Sequence, residues 1–146
     1  SEVTVTLKGF HKQQDMDEPV IQVFPGRYFY KDGKHYVMYD EIVDNQRMYC
    51  RIKMSKDIVE VTKRGYMSAN MFFERGRKTI SRYDSPFGTI ETRFLTSDIR
   101  ISEDEERIAL HMVYDMEMNR DFISTCIMDI IVETPLAFDI KNLKNT

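Results

Sequence analysis

The sequence predicts an all-β protein: a single antiparallel up-and-down barrel of about 8–10 strands. Three observations carry this. Apolar and polar residues alternate with period two along the whole chain, and no stretch of a dozen residues shows the i, i+3, i+4 stripe of an amphipathic helix. Turn signals recur roughly every 8–12 residues, the spacing of all-β domains. The connections are short, so successive strands form a meander whose two edges stay exposed unless the sheet closes on itself. A two-sheet sandwich needs longer crossovers than these loops offer.

Val3, Val5 and Leu7 alternate with Thr4, Thr6 and Lys8 in the first strand. Residues 20–24 form an apolar run that Pro25-Gly26 interrupts, which predicts a bulge, bend or edge position. Residues 27–30 then meet Asp32-Gly33, the strongest hairpin signal in the chain, because a type I′ turn needs positive φ at both central residues. Residues 35–42 return. Asp44-Asn45 leads into residues 47–54, where Met48, Cys50, Ile52 and Met54 share a face. Strands are further expected over residues 58–63, 70–74 and 78–84, punctuated by Ser55-Lys56-Asp57, Arg64-Gly65 and Arg75-Gly76. Ser85-Pro86-Phe87-Gly88 combines a fixed φ with a permissive glycine. Residues 89–101, 107–118 and 122–134 are longer strands joined by an acidic turn, which has room for a short helical piece, and by Asn119-Arg120-Asp121. The domain spans 1–146, with its core over about 3–134 and a tail at 135–146 that packs as an irregular cap.

Composition narrows the function classes. A net charge of −3, with basic residues scattered singly, argues against a nucleic-acid partner. No apolar run approaches the roughly 20 residues of a spanning helix, so no membrane partner is expected. The opening SEVTVTLKG has neither a basic nor an apolar leader region, which makes the cytoplasm the expected compartment. Cys50 and Cys126 lie far apart in apolar stretches and fit no zinc spacing. His11, His35 and His111 are scattered, so neither a metal nor a cofactor is expected. Nucleophile elbows, zinc-protease motifs and phosphate loops are absent, and nothing in the sequence calls for an enzyme or names a catalytic residue.

Parity supplies candidate binding residues. Glu91 and Arg93 are in phase with Leu95, Ile99 and Ile101, Tyr39 and Glu41 with Val37, Asp129 with Ile127 and Ile131, and Arg64 with Ile58. Charges inside a barrel must pair. If these residues point inward, Arg64 and Arg93 anchor an anion, Tyr39 and Tyr83 supply neutral donors, and Glu41 and Glu91 complete a polar cluster. A single bulge reverses the phase of everything beyond it. The ten methionines, Met112, Met116 and Met118 in phase among them, read first as core filling.

Taken in order, several features resemble one family: an opening VTVTLKG strand, an aromatic hairpin closing on Tyr39-Asp40-Glu41, then Lys63-Arg64-Gly65 and Met71-Phe72-Phe73. Tyr83 with Ser85-Pro86-Phe87-Gly88 and two long closing strands complete the set. They resemble the YwiB-like family, small bacterial proteins of uncharacterised function, over nearly the whole chain. The resemblance implies a calycin-like barrel and brings no catalytic or ligand residues. Three classes follow: a barrel binding a small, partly apolar and perhaps acidic molecule in its lumen; an interaction module working through its outer surface or as a homodimer; and, third, an enzyme, which needs two carboxylates such as Glu41 and Glu91 to meet inside.

Overall fold

A computed structural model describes residues 1–11 and 18–134. Ten strands run in order: β1 (Glu2–His11), β2 (Val20–Lys31), β3 (Lys34–Val43), β4 (Gln46–Ser55), β5 (Ile58–Arg64), β6 (Ser68–Glu74), β7 (Lys78–Ser85), β8 (Gly88–Glu103), β9 (Arg107–Met118) and β10 (Asp121–Glu133). Each pairs antiparallel with the next, and β1 pairs with β10 to close the barrel. Closure removes the free edges that a meander leaves. Asp32-Gly33 adopts the expected turn, with φ of 53° and 77°. Asp44-Asn45 repeats it, with φ of 50° and 62°.

Pro25-Gly26 neither breaks nor bulges β2. Above it, β2 pairs with β1 alone, while its β3 partners begin at Gly26 opposite Tyr39. Proline tolerates such a handover because no neighbour needs its missing N–H. Glycine is required beside it, since a Cβ there would fall 2.7 Å from the Met38 carbonyl. The acidic segment after β8 is a bend with no helix, and the cap expected over residues 135–146 lies outside the described residues.

Two ends result. At one, the turns are charged: Asp32, Lys56-Asp57, Arg75 and Asp104 lie there. The lumen above them is filled by Val5, Val37, Ile52, Met54, Val59, Leu110 and Met112. Phe73, Phe94 and Tyr114 form an aromatic cluster across it, with ring centroids 4.7–5.1 Å apart. Met48, Met54 and Met112 are buried and Met116 packs against the core, so the methionines do fill it. At the other end, the lumen wall turns polar. Among the described residues no helix is long and apolar enough to cross a membrane.

Candidate functional site

The polar wall arises from side chains that continue inward strand faces to the mouth. On β1 the face of Val3, Val5 and Leu7 runs on through Gly9 to His11. On β3, Val37 is followed by Tyr39 and Glu41, and on β5, Val59 and Val61 by Lys63. Tyr39, Cys50, Lys63, Ala69 and Tyr83 occupy one lateral row across β3 to β7. Lys63 Nζ donates to both Glu41 oxygens, at 3.1 and 3.3 Å. Glu41 is buried, so this pairing offsets the desolvation that an isolated carboxylate would suffer. Tyr39 lies beside Glu41 and the Cys50 thiol. Burial, then the charges of its neighbours, raises the Tyr39 phenol well above its ordinary range, and burial beside Glu41 pushes the Cys50 thiol up to about 11. Tyr83 donates to Met71 Sδ at 3.0 Å, and burial raises its phenol too.

On the opposite wall, Thr96, Tyr114, Cys126 and His11 form a second row across β8, β9, β10 and β1. His11 Nδ1 lies 3.1 Å from both Ser124 Oγ and Cys126 Sγ. Tyr114 is the cross-strand neighbour of Cys126, and burial raises both its phenol and the Cys126 thiol. Thr92 and Thr96, both fully buried, present hydroxyls with no protein partner.

Beside these rows is a chamber of about 240 Å³, lined by Leu7, Gly9, Phe10, His11, Glu18, Val20, Gln22, Glu41, Lys63 and Met128. It lies where β2 has no β3 partner, above Gly26. The stack of Phe24 on Tyr39, with centroids 4.8 Å apart, marks the row where that pairing begins. A larger groove of about 680 Å³ crosses the outside of β1, β2 and β3. Its walls are mostly outward strand faces, and it gathers no cluster of buried polar groups.

Tyr39, Glu41 and Tyr83 therefore point inward, and Arg64, Glu91 and Arg93 do not. Arg64 continues the outer face of Glu60 and Thr62 and lines an exterior groove with Arg51 and Tyr49. Glu91 is exposed outside, opposite Arg82, and Arg93 is half-buried on the outer face, opposite Glu117. The cause is a bulge in β8 between Thr96 and Asp98. Below it Ile99 and Ile101 face the lumen; above it Thr92, Phe94 and Thr96 do, so the phase read upward from Ile99 is reversed. Asp129 is also outside, hydrogen-bonded to His111 at 2.7 Å. Glu41 and Glu91 do not meet. Of the groups that line the chamber, parity does not single out His11, Lys63 or Met128, nor does it single out Ser124, Cys126 and Tyr114 in the neighbouring row. His11 and Lys63 each extend an apolar face by one step and were legible there. Both faces of β10 are apolar, so nothing in the sequence marks Cys126 as inward.

Comparison with known proteins sets this geometry in a family. A family model, the domain of unknown function DUF1934, matches residues 5–130. The chain belongs to that family. A member of known sequence, the uncharacterized β-barrel protein YwiB of Bacillus subtilis, is 31% identical over 116 residues, which cover 80% of this chain and 82% of the relative. The crystal structure of the B. subtilis ywiB protein superposes with a TM-score of 0.81 at 27% identity, covering 91% of each chain. The barrel is thus common to this chain and the B. subtilis protein, which is itself described as uncharacterized.

Proposed function

We propose that the chain binds a small, partly apolar molecule with an uncharged or zwitterionic polar head in the chamber at the mouth of the barrel. One observation carries this: among the described residues, a chamber at the mouth brings the buried Glu41–Lys63 pair and the His11 ring together with the apolar side chains of Leu7, Val20 and Met128. Pockets that select small molecules combine apolar walls with a few such groups. A fully anionic ligand is disfavoured, because Arg64 and Arg93 stand outside and Lys63 is already neutralised by Glu41. The calycin-like architecture supports the reading by analogy alone.

The test is native mass spectrometry of protein purified from cells, beside the denatured chain. The expected result is a stoichiometric adduct that disappears on denaturation and is lost in Gly9→Leu, whose side chain projects into the chamber beside Met128. A bare mass for the unaltered protein overturns the proposal. A bare mass on a dimer favours the second reading, a homodimer through the mouth end. The chain there exposes Val20 (67%), Ile42 (66%), Phe87 (99%) and Phe122 (51%), in contrast to the charged turns of the opposite end.

A further inference from the structure

Where β1 meets β10, two sulfur donors that the small-molecule reading leaves unused stand beside the His11 ring. His11 and Cys126 are direct cross-strand partners, with Nδ1 and Sγ 3.1 Å apart. One step down the same inward face, Met128 pairs with Gly9. Because Gly9 carries no side chain, the Met128 thioether lies over it: a Cβ there would stand 3.2 Å from Cε and 3.6 Å from Sδ. An imidazole nitrogen, a thiol and a thioether thus share one face of two adjacent strands, with His11 and Met128 lining the same cavity.

The chemistry of this donor set is selective. Among the described residues no three His, Cys, Asp or Glu side chains are grouped to hold a metal ion, so divalent zinc lacks its usual four nitrogen, sulfur or oxygen ligands. Two sulfurs and one imidazole instead suit a soft monovalent ion that accepts two or three ligands. We propose that Cys126, His11 and Met128 form a binding site for Cu(I) in the mouth of the barrel. On binding, the Cys126 S–H bond breaks, an S–Cu bond forms and the proton leaves to solvent, with no change of oxidation state. His11 turns its Nδ1 lone pair from the thiol to the metal and keeps its ring proton on Nε2. The Ser124 hydroxyl, 3.4 Å from Sγ, donates to the thiolate so formed. His11 is exposed and free to rotate as the ion enters, whereas Cys126 is fixed in the wall.

The second thiol provides an internal control. Cys50 is equally buried, but its neighbours are Tyr39, Glu41 and Lys63, with no imidazole among them. The experiment is anaerobic titration of the full chain against Cu(I) held by bicinchoninate, read from the loss of the coloured complex, with circular dichroism to establish that each variant is folded. One equivalent of Cu(I) should transfer to the protein. Cys126→Ser should abolish transfer, His11→Ala weaken it at least tenfold and Met128→Leu several-fold, while Cys50→Ser leaves it unchanged. Cu(I) should also raise the melting temperature of the unaltered protein but not of Cys126→Ser. Failure of the unaltered protein to take copper, an equal loss in Cys50→Ser, or indifference to His11 or Met128 overturns the proposal. Glu41→Gln separates this site from the small-molecule reading, since it should keep copper uptake whatever becomes of the organic ligand.

Discussion

Thr96 shows how a single residue reveals a compromise in the wall. It is fully buried on β8, with its hydroxyl turned into the lumen and no protein hydrogen-bond partner. An unmade hydrogen bond at a buried hydroxyl costs about 1–3 kcal/mol, whereas an apolar group of the same shape costs nothing comparable. Valine keeps the β-branch that suits a strand. Thr96→Val should therefore raise stability by about 1 kcal/mol in urea unfolding. A loss instead would mean that the hydroxyl is used, and would make Thr96 part of the site beside Tyr114. At this scale, the inward residues most legible in the sequence were those in register with long aliphatic neighbours. Tyr39 and Glu41 follow Val37 along an uninterrupted ladder, and parity places them correctly.

At the scale of elements, β6 and β7 form the weakest seam. Their backbone ladder covers only Ser68 to Asn70 on β6, opposite Arg82 to Asp84 on β7, and beyond it the strands part. Side chains bridge the opening: Ser81 Oγ accepts the Phe72 N–H at 3.1 Å, and Thr79 Oγ1 donates to the Phe72 carbonyl. Ser81 is completely buried, so water does not readily replace it. Ser81→Ala should cost about 1–2 kcal/mol, and should speed hydrogen exchange at the Phe72 amide more than at the rest of β6. Unchanged exchange at Phe72 would show that the seam is held by packing alone. The β8 bulge belongs to the same scale, and explains why element existence was readable while face assignment was not. Strands and turns announce themselves through local chemistry, as Asp32-Gly33 does. Ser97, the inserted residue, is an ordinary polar residue with nothing to mark it as the point where the phase of Glu91 and Arg93 reverses. Arg64 failed for a different reason. Its face of β5 carries Glu60 and Thr62 after Ile58, whereas Val59 and Val61 run apolar up to Lys63, so Ile58 alone was too little to place Arg64 inside.

Across the whole molecule, the lumen concentrates acids that burial keeps protonated. The phenols of Tyr28, Tyr39, Tyr83 and Tyr114 and the thiols of Cys50 and Cys126 are all raised, with desolvation the largest cause in each. The ordinary values are 9.0 for the thiols and 10.0 for the phenols. Below them, folded and unfolded chains carry the same protons on these groups, and the stabilisation is complete. Above them, the unfolded chain ionises first, binds fewer protons than the folded one, and stability falls as pH rises. For Cys50 the decline begins near pH 9 and is complete above about 11, while the tyrosines extend it further into alkali. Urea midpoints should therefore hold steady up to about pH 8 and drop steeply from pH 9 upward. A Cys50→Ala protein should be less stable throughout but show a shallower decline between pH 9 and 11. Ultraviolet titration should find fewer than the chain's eight tyrosines ionising before the barrel unfolds, with the remainder released together at the unfolding transition. If all eight titrate smoothly with the fold intact, water reaches the lumen freely. The polar walls would then be hydrated surface rather than the lining of a sheltered chamber, and the small-molecule reading would lose its physical basis.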